Sequence, residues 1–124
     1  LYKAMPIQIK ELLKKVIVYS SVGQMSYELS SSDCYITIPA LIEVDSTQTI
    51  EPYNSEGKAI SYMNTNASRK RAFDGGDYNA YWLRSPNVSH ANYIWRVDAD
   101  GSVTATQGIT NATTNLGVLI EISF

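Results

Sequence analysis

Asp98-Ala99-Asp100-Gly101 spaces two carboxylates and a glycine as the opening of a calcium loop would, but the position of the closing bidentate glutamate holds Ile109. A hairpin turn is the favoured account of this run. His90, the single histidine, joins Ser89 and Asp98 as the residue types of a nucleophilic triad, with no nucleophile-elbow pattern around Ser85 or Ser89. Arg69-Lys70-Arg71 is the only basic run and lacks the Gly-rich strand-to-helix loop that a phosphate site needs. In the aromatic C-terminal half, Asp98 and Asp100 sit on one strand end, which is poor placement for two carboxyls flanking a glycosidic bond. No catalytic residue, metal site or cofactor is expected.

The chemistry that remains is recognition. Tyr78, Tyr81, Asn87, His90, Asn92, Tyr93 and Trp95 cluster in sequence. Tyr and Trp offer large contact area at low rotamer entropy, and Asn offers adaptable hydrogen bonding, as in paratopes and interface hot spots. From Asn87 to Phe124 only Arg96, Asp98, Asp100 and Glu121 are charged. Alternation requires Tyr93 or its neighbour Ile94 to face inward.

These residues need a scaffold, and the composition supplies one. The 124 residues, 44% hydrophobic, form one domain over 1–124, large enough to bury roughly two thirds of its unfolded surface. A net charge of −2 with thinly spread Lys and Arg gives no basic stripe, so nucleic acid is not an expected partner. Cys34, the single cysteine, allows no internal disulfide and reads as a small buried hydrophobe. No apolar run approaches the roughly 20 residues that span a bilayer, so direct membrane insertion is not expected. Opening at Leu1, the chain is expected to be a mature product or a piece of something longer that carried an export or anchoring segment.

The centre of the scaffold is Ala80-Tyr81-Trp82-Leu83-Arg84-Ser85-Pro86. It reads as a central strand, with Tyr81, Leu83 and Ser85 on one face and Ala80, Trp82 and Arg84 on the other. Trp82 is expected in the core, as is Leu83 or Tyr81 opposite it, and Arg84 as a half-buried structural arginine in need of carboxylate or carbonyl partners. Glu43 is either that partner or a solvent residue.

Around this strand, Pro6, Ile9, Leu12, Leu13, Val16 and Ile17 carry the period of an amphipathic helix, and Glu56 to Met63, capped by Ser55, that of a second. Tyr19 to Asp33 reads as loops around at most a short strand, and Cys34 to Ile38 as a strand stopped by Pro39. Asn92 to Val97, Ser102 to Gln107 and Gly117 to Phe124 alternate as a β-meander, with Asp100-Gly101 as a hairpin signal. Val118, Ile120, Ile122 and Phe124 form one apolar face of a final strand expected to be central, so that truncation unfolds the domain.

Trp82-Leu83-Arg84-Ser85-Pro86, then Val97-Asp98-Ala99-Asp100-Gly101, then Gly117-Val118, resembles an uncharacterised bacterial and phage family with that succession of motifs. Tyr35-Ile36-Thr37-Ile38-Pro39 with Ile42-Glu43-Val44 is similar to the segment before that family's second helix, so the resemblance spans Cys34 to Phe124. Many members carry Arg-Pro after the terminal Gly-Val, where this chain has Leu119-Ile120. The family is similar in turn to the C-type lectin-like domains of phage tail proteins, adhesins and retroelement-diversified variable proteins. This implies an α+β, C-type lectin-like fold of two helices followed by a mostly antiparallel twisted sheet with long C-terminal loops. Asn79, Asn87, Ser89, His90, Asn92, Tyr93, Thr104, Thr106, Asn111, Thr113 and Asn115 have the residue types that such diversification favours.

Departures from the lectin-like enzymes and sugar binders are equally definite. Glu51-Pro52-Tyr53 and Trp95-Arg96-Val97 match neither element of a calcium-mediated sugar site, and Cys34 alone cannot supply the cysteines of a formylglycine-generating enzyme. The expectation is a non-catalytic binding module for a cell-surface protein or glycan, working outside the cell on a bacterial surface or phage particle. The alternative is a structural module packed in a larger surface or virion assembly. Oligomeric state is left open by the sequence.

Overall fold

The computed structural model describes the chain except for Gln24, Asp74 and residues 106–115. It is α+β, with helices of a single turn and several small, mostly antiparallel sheets. Strands β1 (Val16–Ser21) and β2 (Leu29–Cys34) form an antiparallel hairpin, paired from Val16↔Cys34 to Ser21↔Leu29. A second pair joins β3 (Ile36–Thr37) to β8 (Glu121–Ile122). The largest sheet has the order β6-β5-β4-β7, built from β4 (Tyr81–Pro86), β5 (Ile94–Val97), β6 (Val103–Thr104) and β7 (Gly117–Val118). Its β4–β7 pair is parallel and the others antiparallel.

The central strand is as the alternation requires. Tyr81, Leu83 and Ser85 are buried on one face, whereas Trp82 is half-buried on the other and is not a core residue. Tyr81 and Leu83 join Leu41, Val44, Tyr53, Met63, Val88 and Val97 in the core. Each large side chain so buried contributes roughly 1.5–3 kcal/mol before entropy is counted. Most come from outside the sheet, because two-residue strands offer few inward positions.

Neither the amphipathic helix expected over Pro6 to Ile17 nor the short one expected over Glu56 to Met63 forms. Ile7–Lys10 (α1) is one turn, and Val16-Ile17-Val18 opens β1 instead, since three consecutive β-branched residues favour a strand. Val18 is buried while Ile9 and Leu12 stay exposed, so the apparent helical period does not correspond to one buried face. The second helix is replaced by single turns at Tyr53–Ser55, Ser61–Met63 and Asn66–Arg69 (α3). Between them Gly57 passes so close to the Glu43 carboxylate that any side chain would collide with it, and Ile60 N–H donates to Glu43 O at 2.9 Å. Leu41–Val44 (α2) is the buried turn beneath this segment.

Three further expectations are corrected. The Ser-rich segment is the six-pair hairpin β1–β2, whose second strand is almost wholly exposed and so shows no hydrophobic alternation. Cys34 is half-buried at the end of β2. Gly117–Phe124 is not one central strand; it divides into β7 and β8, and Val118, Ile120, Ile122 and Phe124 are all exposed. The Asp100-Gly101 turn forms as expected: Gly101 adopts φ +85°, Gly101 N–H donates to Asp98 O, and Asp98 N–H donates to Ser102 O, both at 2.8 Å. Ser102 Oγ and N–H donate to Asp100 Oδ1 and hold its carboxyl below the usual range.

Candidate functional site

Two glutamates fix the central strand. Arg84 donates through Nη1 to Glu43 Oε2 at 2.6 Å and through Nη2 to Glu43 Oε1 at 3.0 Å. Its remaining N–H groups go to Ile38 O, Glu56 O and Tyr19 O, so all five donors are placed. The next residue reaches the second glutamate. Ser85 Oγ accepts from Leu41 N–H at 2.8 Å and donates to Glu56 Oε2, while Ser21 N–H and Oγ donate to Glu56 Oε1 at 2.7 and 2.8 Å. Glu56 is only 1% exposed. The Arg-Ser pair therefore ties β4 to β1, α2 and the Tyr53–Ser55 turn, and sets where β4 ends.

Beyond that end, the Asn87–Tyr93 loop is fastened from both sides. Val88 is buried and donates its N–H to Tyr53 Oη at 2.9 Å, and Asn87 N–H donates to Tyr93 O at 2.8 Å. Asn87 Oδ1 accepts from the N–H groups of Ser89 and His90 at 2.8 and 3.1 Å. The His90 and Tyr93 rings stack at 4.9 Å and 16°. Tyr53 meets Trp95 edge-on at 5.9 Å.

The result is an open groove of about 330 Å³ lined by Asn87, His90, Tyr93, Trp95, Val103, Thr104 and Ala105. Its described lining residues carry aromatic faces, amide and hydroxyl groups, and no carboxylate, lysine or arginine among them. Trp95 packs partly on the core, and its buried Nε1 has no hydrogen-bond partner among the described residues. Such a surface suits contact recognition, in which rigid rings supply area and the Asn87 amide nitrogen supplies donors.

A family model described as Domain of unknown function (DUF6273) matches residues 8–118. The chain belongs to the DUF6273 family. No curated protein and no solved structure matches it. In this DUF6273 chain, the matched span holds β1 to β7, the whole groove and both glutamates of the Arg-Ser pair, and stops short of β8.

Of the sequence candidates, the fold brings Asn87, His90, Tyr93, Trp95 and Thr104 together in the groove. Ser89 and Asn92 are exposed on the same loop without lining it. Tyr78 and Asn79 are not among its lining residues: Lys70 Nζ sits 5.4 Å from the Tyr78 ring centroid, and Asn79 Oδ1 accepts from Ala80 N–H. Tyr81 is corrected to a core residue, fully buried with its Oη donating to Arg69 O at 2.9 Å; burial raises its phenol pKa. Thr106, Asn111, Thr113 and Asn115 fall outside the described residues.

Sequence reasoning missed Val103 and Ala105 in the groove, and Glu56, Ser21 and Glu121 in the polar interior. Glu121 had a readable signal, a lone carboxylate between Ile120 and Ile122. Burial pushes its pKa up to about 7, the Glu43 carboxylate adds to the rise, and Arg84 opposes it. The 3.9 Å approach to Arg84 Nη1 does not win, since the hydrogens of that nitrogen are already given to Glu43 and Ile38.

Proposed function

We propose that the chain is a non-catalytic binding module of C-type lectin-like type, recognising a cell-surface protein or glycan through the Asn87–Trp95 groove. The observation that carries this reading is the convergence of five sequence-nominated residues on one pinned, open surface whose described lining residues are uncharged. The gathering of β4 to β7 in the C-terminal half supports the lectin-like element order, and the single-turn helices weigh against it. His90 supports a contact role, since its ring lies flat on Tyr93 at 4.9 Å and 16°. The setting that fits is a bacterial surface or a phage particle, as an adhesin, receptor-binding protein or retroelement-diversified variable protein.

The deciding experiment is a glycan-array and cell-binding screen with the native chain, Tyr93→Ala and His90→Ala. These side chains lie at the rim, so the reading expects at least about tenfold weaker binding with an unchanged melting temperature, as hot-spot loss gives. Equal binding by all three proteins would remove the groove from the function.

A second reading, a structural module in a larger assembly, is favoured by one observation. Val118 (55%), Ile120 (43%), Ile122 (38%) and Phe124 (64%) are exposed along the β7–β8 segment. Alternating apolar residues left open in this way suit packing against a neighbouring subunit or domain. Protection of this strip from labelling in the parent assembly would favour that reading.

A further inference from the structure

Glu121 belongs neither to the groove nor to the satisfied glutamates. Its Oε2 shares Arg84 Nη1 with Glu43, but at 3.9 Å, and every Arg84 donor is already committed elsewhere. It is thus a second carboxyl at a guanidinium whose charge the first has neutralised. Glu43 faces it from α2 and Arg84 from β4. The cavity it lines, about 220 Å³, also carries Glu56, Tyr19 and Tyr35, and Tyr62 lies on its other side. Arg84 is the one cation among these lining residues, and the Glu56 carboxylate is turned to Ser21 and Ser85.

The strand that carries Glu121 is lightly held. β8 meets β3 through Ile36↔Ile122 and Thr37↔Glu121, with one further bond from Lys14 N–H to Ser123 O at 2.8 Å. Ile122, its apolar neighbour, remains 38% exposed and adds little burial.

We propose that Glu121 makes β8 a pH-released latch. Protonated, its carboxyl rests beside Glu43 and β8 closes the cavity along β3. When the proton leaves to solvent, two carboxylates confront one another across a guanidinium with no donor to spare, and β8 parts from β3. Release opens the cavity and frees the backbone edge of Ile36 and Thr37. The device goes beyond the groove reading and does not depend on it.

Amide hydrogen exchange of the native chain and Glu121→Gln tests the latch. Rates at about pH 5.5 and pH 8.5, corrected for intrinsic exchange, should show protection in residues 121–123 falling at least tenfold in the native chain, since each displaced pKa unit is a factor of ten in the opening equilibrium. Glu121→Gln should stay closed at both. Equal native protection at both pH values, or the same fall in Glu121→Gln, would overturn the proposal. A carboxyl 13C titration of Glu121 in the native chain gives an independent decision: a midpoint in the ordinary glutamate range overturns it even if the variant folds poorly.

Discussion

Arg84 and Glu43 face each other through two parallel N–H···O bonds of 2.6 and 3.0 Å, with side chains only 10% and 15% exposed. Glu43 also accepts from Ala40 N–H at 2.6 Å, so one carboxylate starts α2 and holds β4. A planar fork is needed for this, and a lysine cannot reproduce it.

Removing either partner should therefore do more harm than removing both. Arg84→Met or Glu43→Leu alone is expected to lose about 3–5 kcal/mol, whereas the double variant should recover part of that loss because no buried charge is left unpaired. Urea unfolding of the four proteins measures it; additive losses would show that the pair is not coupled.

Glu56→Gln keeps the shape but turns an amide nitrogen toward groups that all donate. A loss of about 1–3 kcal/mol is expected, and Ser85→Ala should fall in the same range because Leu41 N–H and Glu56 each lose a partner. Thermal or urea melts at neutral pH suffice. A neutral Glu56→Gln would mean that the Ser21 and Ser85 bonds contribute nothing net.

Gly101 and Gly75 both have positive φ, +85° and +95°, but only Gly101 lacks room. A Cβ on Gly101 would run into the Asn66 carbonyl, whereas nothing lies within 4 Å of one on Gly75. Gly75→Ala should lose about 1 kcal/mol from backbone strain alone, and Gly101→Ala several times more. Comparable losses would remove the contact with Asn66 from the explanation.

Tyr53→Phe deletes the acceptor for Val88 N–H without touching the groove lining. About 1–2 kcal/mol of stability should go, and binding should weaken through a looser Asn87–Tyr93 loop while His90 and Tyr93 remain in place. Trp95→Ala, by contrast, should unfold the domain in part, since the indole packs on the core. Full affinity in Tyr53→Phe would show that the loop needs no anchor.

Stability should decline with rising pH over one window. Glu121 has a folded pKa near 7 against 4.5 in the unfolded chain, so the native state binds the extra proton between these values. Its contribution is complete below about 4.5 and lost as pH rises through about 7. With partial solvent screening the loss is of the order of 1–2 kcal/mol. Glu121→Gln should flatten this slope in urea titrations taken pH by pH; an unchanged slope assigns it to other groups.

The sequence made legible what alternates over several residues or is dictated by a turn. Tyr81 to Ser85 had to show two faces, Asp100-Gly101 had to turn, and Arg84 needed a carboxylate, for which Glu43 was one of two readings. The short elements were not legible. Ile9, Leu12 and Val16 mimic a helical stripe by coincidence of spacing, because the residues are apolar for different reasons, two of them on open surface and one in a hairpin. β2 gave no signal, since Ser30, Ser31, Ser32 and Asp33 face water on an edge strand. Aromatic and amide residue types nominated residues that the fold gathers in the groove, but type alone could not separate the core Tyr81 from the rim Tyr93. Small aliphatic lining residues such as Val103 and Ala105 announce nothing until the hairpin brings them there.

The pairing of β3 with β8 joins segments more than eighty residues apart, and β7 reaches β4 across more than thirty residues. During synthesis, β4 and β5 can pair as soon as both have emerged, but the other edge of β4 and the edge of β3 must wait for residues 117–122. For that interval Tyr81, Trp82 and Leu83 border an open strand edge, the geometry most prone to pairing with a second nascent chain. Folding of this domain should thus be slow for its size and sensitive to crowding of its own copies, with the late strands acting as the closure that ends the risk.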